Sequence, residues 1–197
     1  ALLLPNVLPL PVAVLGVLRA GGVVVNLNPE LPLTELRHRL RDSGAHVCIA
    51  IETAAATLQA ALEDDALHLR HVLVASLGDL LGHLKGTLVN HWLRRVKRAV
   101  PGWHIRGAVP FATALDHGQH KALKTFQPVA LGPDDLAALQ YTGGTTGPSR
   151  GAVLLHRNLV ANVLQAEAWN APVLQRLPEG ETLVQVGALP LHHIYGF

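Results

Sequence analysis

Eleven consecutive residues, from Tyr141 to Gly151, combine the groups that bind a phosphate. We call them the glycine–threonine segment; they read Tyr-Thr-Gly-Gly-Thr-Thr-Gly-Pro-Ser-Arg-Gly. Glycines let the backbone approach a ligand closely, and successive N–H groups of such a loop form an anion-binding nest. Threonine hydroxyls add donors, and Arg150 adds a permanent planar cation. The composition therefore predicts a polyphosphate site. Its candidate residues are Thr142, Gly143, Gly144, Thr145, Thr146, Gly147 and Arg150.

Two other interpretations of this segment are less favoured. A Walker A loop requires G-x-x-x-x-G-K-[ST] and opens a helix, whereas this segment lacks that pattern and precedes a predicted strand. A simple surface turn between two strands has no need of three hydroxyls, four glycines and a cation. We therefore favour phosphate binding and keep the surface turn as the alternative.

Two adjacent histidines, His192 and His193, lie near the end of the chain. Neighbouring residues of a strand point to opposite faces, so the two rings are poorly placed to share a metal ion. No Cys, Asp or Glu lies close to them in sequence to complete a metal site. We therefore predict no metal site, and a structural role is the first interpretation of an isolated histidine here.

The basic residues are concentrated in one region. From Leu80 to Leu115 there are six basic residues and no Asp or Glu, whereas the rest of the chain holds 10 basic and 14 acidic residues. Apolar residues recur at helical spacing from Leu88 to Val100, with basic residues between them and Pro101 at the end. This pattern predicts an amphipathic basic helix.

The basic helix has three interpretations. The favoured one packs its apolar side on the protein itself and leaves the charges in water. The second places it on an anionic membrane surface, with aromatic and basic side chains among the headgroups. Nucleic acid is the least favoured partner, because interleaved aromatics and a binding motif are missing. The candidate membrane-surface residues are Trp92, Arg94, Arg95, Lys97 and Arg98.

The surrounding elements alternate between helical patterns and short β-branched runs. Helices are predicted at residues 11–20, 32–42, 53–62, 111–115 and 158–174. Strands are predicted at residues 23–27, 46–51, 71–75, 136–141, 152–155 and 182–189. This alternation indicates an α/β fold, with alternating βαβ units and a largely parallel sheet.

Composition limits the class of protein. Of 197 residues, 49% are hydrophobic and 15% charged, which argues against intrinsic disorder. A single Cys excludes a disulfide framework and fits a cytoplasmic protein. No apolar run reaches the roughly 20 residues of a membrane-spanning helix. The chain lacks Met and stops in apolar residues, so we expect a fragment.

The glycine–threonine segment resembles the phosphate-binding motif of the adenylate-forming superfamily: acyl-CoA synthetases, luciferases and peptide-synthetase adenylation domains. That pattern is roughly aromatic, Ser/Thr, Ser/Gly, Gly, Ser/Thr, Thr, Gly, two variable residues, Lys, Gly. The sequence departs from it where Arg150 replaces Lys. Its variable pair is Pro148-Ser149, where the second place is more often Pro or Ala. The resemblance implies phosphate contact with altered geometry at Arg150.

Other stretches extend the resemblance over essentially the whole chain. Residues 4–29 are similar to the early core of bacterial long-chain fatty-acid–CoA ligases, and residues 77–103 to an insertion of that subgroup. Residues 189–197 resemble the next core motif, Pro-Leu-aromatic-His-Ile-aromatic. We therefore expect residues 1–197 to be part of the large N-terminal AMP-binding domain, with 78–110 as a basic amphipathic insertion. The rest of that domain and the small C-terminal domain lie outside the sequence.

The resemblance also implies a reaction. In the superfamily a carboxylate attacks the α-phosphate of Mg-ATP, pyrophosphate leaves, and the thiol of CoA then displaces AMP from the acyl-adenylate. By this analogy the glycine–threonine segment wraps the β- and γ-phosphates, and His193 lies near the acyl carboxylate and the α-phosphate. His192 has no assigned role, and Tyr195 is interpreted as a packing residue.

The implied protein is a long-chain fatty-acid–CoA ligase that takes fatty acid, ATP and CoA. We expect it to be cytoplasmic, with peripheral contact to the inner face of the membrane. The alternatives are another acyl- or aryl-CoA synthetase of the superfamily, or a non-catalytic membrane- or lipid-binding module. Since the CoA site and the later catalytic elements lie outside the sequence, we expect the isolated chain to be inactive. Acyl chain length and oligomeric state, a homodimer included, stay open.

Overall fold

The computed structural model describes residues 1–142, 148–178, 180–181, 183–184, 186–194 and 196–197, which build a sheet with helices connecting its strands. The strands are β1 (Leu2–Leu3), β2 (Val24–Leu27), β3 (Val47–Ile51), β4 (His71–Ala75), β5 (Val109–Pro110), β6 (Leu136–Thr142) and β7 (Arg150–Leu155). The α-helices are α1 (Pro9–Arg19), α2 (Leu33–Ser43), α3 (Ala55–Ala61), α4 (His83–His91), α5 (Phe111–His117) and α6 (His156–Leu174).

The strands lie in the order β5-β4-β3-β1-β2-β6-β7. All neighbouring strands are parallel except β6 and β7, which are antiparallel. The α/β fold and largely parallel sheet that the sequence predicts are therefore confirmed. Strands β1 and β5 were not predicted, because two residues are too few to show a periodicity. β1 nevertheless lies between β3 and β2, and both its side chains are buried.

Helix α2 is positioned by a simple amphipathic pattern. Leu36 and Leu40 are four residues apart, so both lie on the face that packs into the core. The helix ends at Gly44, whose φ of 60° is the left-handed conformation that glycine adopts without strain. Glu35 and Arg39, also four residues apart, form an ion pair away from that apolar stripe.

The strand predicted at residues 182–189 is wrong wherever the chain is described there. Residues 183–184 and 186–189 are not part of a strand. Val184 and Val186 are each 85% exposed, so the apolar run does not face a core in the described structure. Backbone carbonyls of this region are bound instead by the side chain of Asn6.

The predicted basic helix is observed as α4 and the π-helical turn that follows it. It contacts the rest of the chain through Gly86, Asn90 and Arg94, whereas the favoured interpretation of the sequence expected its apolar side to do so. Gly86 lies so close to Gly78 that a Cβ there would be 2.4 Å from the Gly78 carbonyl oxygen. Four residues on, Asn90 Oδ1 accepts a 2.8 Å hydrogen bond from the Gly78 N–H. A π-helical turn, Trp92–Val96, then ends the helix before Pro101. Four apolar side chains face outward and form what we call the apolar ridge, Leu84, Leu88, Trp92 and Val96, whereas Val89 and Leu93 are half-buried.

Candidate functional site

The carboxyl ends of the parallel strands share one edge of the sheet. The residues that follow or end these strands include Asn28 after β2, Glu52 after β3, Ser76 after β4 and Thr142 on β6. Ligands of open α/β sheets bind outside this carboxyl edge. Thr142, the first predicted phosphate-site residue of the glycine–threonine segment, therefore lies at the edge where a ligand is expected.

The two flanks of the segment form an antiparallel ladder. Thr142 lies opposite Arg150, and Tyr141 opposite Gly151. A Cβ at Gly151 would lie 3.3 Å from the Tyr141 ring, so glycine leaves room for the aromatic side chain. Thr142 and Arg150 are both exposed, and directly opposite residues share a face of the sheet. The structure thus brings these two predicted phosphate-site residues together.

The remaining predicted phosphate-site residues lie outside the described residues and stay predictions. They are Gly143, Gly144, Thr145, Thr146 and Gly147.

Helix α2 contacts both flanks of the segment. On the first flank, the Tyr141 hydroxyl donates a 2.5 Å hydrogen bond to Asp42, and the Arg39 guanidinium lies 5.3 Å from the centre of the Tyr141 ring. On the second flank, Ser149 Oγ donates to Glu35 and accepts a 3.2 Å hydrogen bond from Arg39 Nε. The side chain of Ser149 is therefore used both as a donor and as an acceptor.

Electrostatics fix the protonation of this cluster. Hydrogen bonds from Ser149 and then Arg39 hold the pKa of Glu35 below its ordinary value. Burial, followed by the neighbouring Asp42, raises the pKa of Tyr141. At neutral pH, Glu35 is therefore a carboxylate and Tyr141 a neutral phenol, which are the forms that their hydrogen bonds require.

The predicted His193 motif reaches the same edge of the sheet. The Asn6 amide donates to the carbonyls of Gly187 and Leu189, at 3.3 and 2.8 Å, and its Oδ1 accepts 2.7 Å from the Leu191 N–H. Gln140 on β6 donates 3.0 Å to the backbone carbonyl of His192. His193 follows directly, in a turn where its N–H donates 2.9 Å to Pro190. Its contact with substrate stays a prediction.

A buried polar cluster lies beneath this motif. Asn26 and Gln140 are direct neighbours on β2 and β6, and both are almost fully buried. Among the described residues, both polar side-chain atoms of Asn26, Gln140 Oε1 and His192 Nδ1 have no hydrogen-bond partner. Burial, and then the unfavourable interaction of two neighbouring imidazolium charges with His193, lower the pKa of His192, with Glu30 acting in the opposite direction. His192 is therefore neutral at neutral pH.

Sequence reasoning missed several residues that support the site. They are Asn6, Asn26, Glu35, Asp42 and Gln140. Polar residues inside or directly after an otherwise apolar strand pattern were the available signal for Asn26, Gln140 and Asn6. Helical charge pairs such as Glu35 and Arg39 carry no comparable signal, because most of them are simply solvated.

The membrane-surface candidates separate into two groups. Arg94 donates 2.8 Å to Glu52 and 2.9 Å to Ser76, at the carboxyl ends of β3 and β4. Trp92, Arg95, Lys97 and Arg98 lie on the surface, where Lys97 Nζ is 5.1 Å from the centre of the Trp92 ring. No helix in the described ranges is long and apolar enough to span a bilayer.

Comparisons with known proteins match this chain over essentially its whole length. Residues 1–197 match the family model described as AMP-binding enzyme. The long-chain-fatty-acid–CoA ligase of Escherichia coli O157:H7 is 45% identical over 195 residues, which cover 99% of this chain and 33% of that protein. The chain thus spans about a third of the length of such curated relatives.

Solved structures share the fold. A long-chain-fatty-acid–CoA ligase from Archaeoglobus fulgidus matches with a TM-score of 0.61 and 24% identity, covering 99% of this chain and 31% of that one. ATP-bound MatB from Rhodopseudomonas palustris matches with a TM-score of 0.62 and 25% identity, covering 99% and 30%. With the family model matched from the first residue to the last, this chain belongs to the family of AMP-binding enzymes.

Proposed function

We propose that this chain supplies the phosphate-binding part of an ATP-dependent long-chain fatty-acid–CoA ligase. The observation that carries the proposal is the opposition of Thr142 and Arg150 at the carboxyl edge of the sheet, on either side of the glycine–threonine segment. The 45% identity to long-chain-fatty-acid–CoA ligases supports the acid substrate class, and the similarity to a structure with bound ATP supports the nucleotide.

The proposed reaction has two balanced steps. A fatty-acid carboxylate oxygen forms a bond to the α-phosphorus of ATP, and the bond to pyrophosphate breaks. The thiolate of CoA then forms a thioester with the acyl carbon, and AMP leaves with the bonding electrons. Arg150 offsets charge on the β- and γ-phosphates, while magnesium bound with ATP neutralises further phosphate charge. His193 would contact the reacting carboxylate and the α-phosphate.

The test uses an active version of the chain. In the enzyme that we call the chimera, residues 1–197 replace the matching third of the Escherichia coli relative. We expect palmitate-dependent ATP–pyrophosphate exchange, and Arg150→Ala should raise the KM for ATP by about 10- to 100-fold. A hydrogen bond to a charged group contributes about 1.5–3 kcal/mol, and each 1.4 kcal/mol corresponds to about tenfold. Arg150→Lys should restore much of the loss.

Arg157→Ala is the matched control, because Arg157 is an exposed arginine on α6 whose partner is the exposed Asp134. An unchanged KM for ATP in Arg150→Ala would contradict the role of Arg150. Calorimetric titration of the 197-residue chain with Mg-ATP provides a second measurement. Absence of exchange in the chimera together with absence of ATP binding by the chain would overturn the proposed function.

We propose, as a second function, that the apolar ridge makes peripheral contact with the anionic inner face of the membrane. The supporting observation is that this ridge is exposed, Leu84 by 79%, within a region that has no acidic residue between Leu80 and Leu115. Exposed apolar side chains flanked by lysine and arginine suit the interface of an anionic bilayer.

Flotation with phosphatidylserine liposomes tests this contact. Reversal of Arg95, Lys97 and Arg98 to Glu should abolish binding, and Arg94 is left intact because it pairs with the buried Glu52. The matched control reverses three exposed basic residues elsewhere, Arg19, Lys121 and Lys124. Equal binding of the two triple variants would contradict the membrane proposal.

A further inference from the structure

One side chain on α2 links the two flanks of the glycine–threonine segment. Arg39 Nε donates a 3.2 Å hydrogen bond to Ser149 Oγ on the second flank, and its guanidinium lies over the ring of Tyr141 on the first flank. Its backbone carbonyl also accepts a 3.4 Å hydrogen bond from the Tyr141 hydroxyl. The described residues on both flanks of the glycine–threonine segment are therefore contacted by the same helical residue.

The second flank is held through the Ser149 hydroxyl, which makes hydrogen bonds with two charged side chains. Ser149 is 6% exposed; its Oγ donates to Glu35 and accepts from Arg39, while Arg39 donates 2.7 Å to Glu35. The backbone carbonyl of Ser149 faces His38 Nε2 at 2.9 Å. Arg39 Nε–H is shared between Glu35 Oε1 and Ser149 Oγ, and Ser149 Oγ also donates to Glu35 Oε1, so these three contacts together constrain the geometry at residue 149.

From these contacts we propose that Glu35, Arg39 and Ser149, the α2 anchor, position the second flank of the glycine–threonine segment and thereby aim Arg150 at the phosphates. This inference rests on the proposed function and adds three positioning residues to it. Ser149 is buried against α2, and the next residue, Arg150, is exposed opposite Thr142. Fixing Ser149 inward therefore sets the direction in which the following side chain leaves the sheet.

The residue type at position 149 supports a specific role. Neither a proline nor an alanine side chain at this position could donate to Glu35 or accept from Arg39. In this chain a hydroxyl stands at the point where a carboxylate and a guanidinium converge.

The test compares Ser149→Ala and Ser149→Thr in the chimera. We expect Ser149→Ala to raise the KM for ATP about fivefold or more without changing the KM for palmitate, because Arg150 loses its fixed direction. Ser149→Thr retains a hydroxyl and should stay within about twofold of the parent. Ser76→Ala is the matched control, because Ser76 is an equally buried serine that accepts from an arginine, Arg94, elsewhere on the sheet.

Coupling within the anchor gives a second readout. Glu35→Gln should raise the KM for ATP as Ser149→Ala does, and the double variant should exceed the larger single effect by less than twofold. Glu63→Gln, at an exposed carboxylate 3.9 Å from Arg37, is its control. Fully multiplicative single effects would overturn the proposal of one coupled anchor.

The failure of this inference differs from the failure of the proposed function. A parent chimera that exchanges pyrophosphate, with Ser149→Ala changing only thermal stability as Ser76→Ala does, would overturn the α2 anchor alone. If the chimera is inactive, calorimetry on the 197-residue chain replaces the kinetic readout: equal Mg-ATP affinity in the chain and its Ser149→Ala variant overturns the anchor. No ATP binding by the parent chain overturns both.

Discussion

Arg94 forms an ion pair with Glu52, 2.8 Å from nitrogen to oxygen, although the two residues are 42 positions apart in the chain. The Glu52 side chain is 3% exposed, whereas that of Arg94 is half in water. Ser76 completes the contact by accepting from the same guanidinium. Arg94 thereby joins the basic helix to the residues that follow β3 and β4 at the carboxyl edge of the sheet.

We predict that Arg94→Ala lowers the free energy of unfolding by about 2–3 kcal/mol. The variant leaves the buried Glu52 carboxylate without its cation, which costs about 3–5 kcal/mol in a fully buried pair, and partial exposure of Arg94 reduces that figure. Arg95→Ala, at an exposed neighbour, should change stability by less than about 0.5 kcal/mol. Urea unfolding measures both, and equal effects would contradict the pairing.

Gly86→Ala should undock the basic helix. The added Cβ would lie 2.4 Å from the Gly78 carbonyl oxygen, a contact that only a backbone shift can relieve. Gly16→Ala is the control, because a Cβ at that helical position meets nothing within 4 Å. There we expect stabilisation of about 0.4–1 kcal/mol. Hydrogen exchange should show faster amide exchange over residues 83–96 only in Gly86→Ala; unchanged protection would argue against this docking.

Local patterns predicted the strands of four or more residues, because an apolar run of that length can be recognised without help from distant residues. They missed β1, where only the position between β3 and β2 makes Leu2 and Leu3 a strand. They also assigned a strand to residues 182–189, since an apolar run does not reveal whether a neighbouring strand is available to pair with it.

In the candidate site, too, features that are local in sequence could be predicted, whereas contacts between distant residues could not. The glycine–threonine segment could be proposed as a phosphate site from the sequence because its candidate groups are adjacent to one another in the chain. The contact of Ser149 with Glu35 spans 114 positions, and no periodicity encodes it. Similarly, the spacing of charges in the basic helix does not reveal that Arg94 turns inward, because its partner Glu52 belongs to another element.

The Glu35 carboxylate should make folding stability depend on pH. Its pKa in the folded chain lies below the unfolded value of about 4.3, so the stability it contributes is present above that pH. This contribution is lost as pH falls through the lower folded pKa. The difference in unfolding free energy between the parent and Glu35→Gln should therefore shrink as urea titrations proceed from pH 5 toward pH 3. A pH-independent difference would contradict the ionic role.

Cys48 should be unreactive in the folded chain. It is fully buried on β3, and burial raises the pKa of its thiol to about 11. At pH 8 the nucleophilic thiolate is then only about one-thousandth of the thiol, and the reagent cannot reach it. We expect no thiol of the native chain to react rapidly with Ellman's reagent, and one thiol per chain to react rapidly in guanidinium. A native rate equal to the denatured rate would show that the core around β3 is open.

Asn6→Ala should release the segment that carries His193. Asn6 makes three hydrogen bonds to the backbone of Gly187, Leu189 and Leu191, and the alanine variant leaves these groups without that partner. In the chimera we expect the KM for palmitate to rise about tenfold while the KM for ATP changes less. Thr142 and Arg150 are held by the pairing of β6 with β7, which Asn6 does not contact through these hydrogen bonds. Asn170→Ala is the control, because the Asn170 amide donates its hydrogen bond to the Ala166 carbonyl, one turn earlier in α6. Equal changes in both KM values would indicate a general loss of structure and would count against a specific role for Asn6 in placing His193.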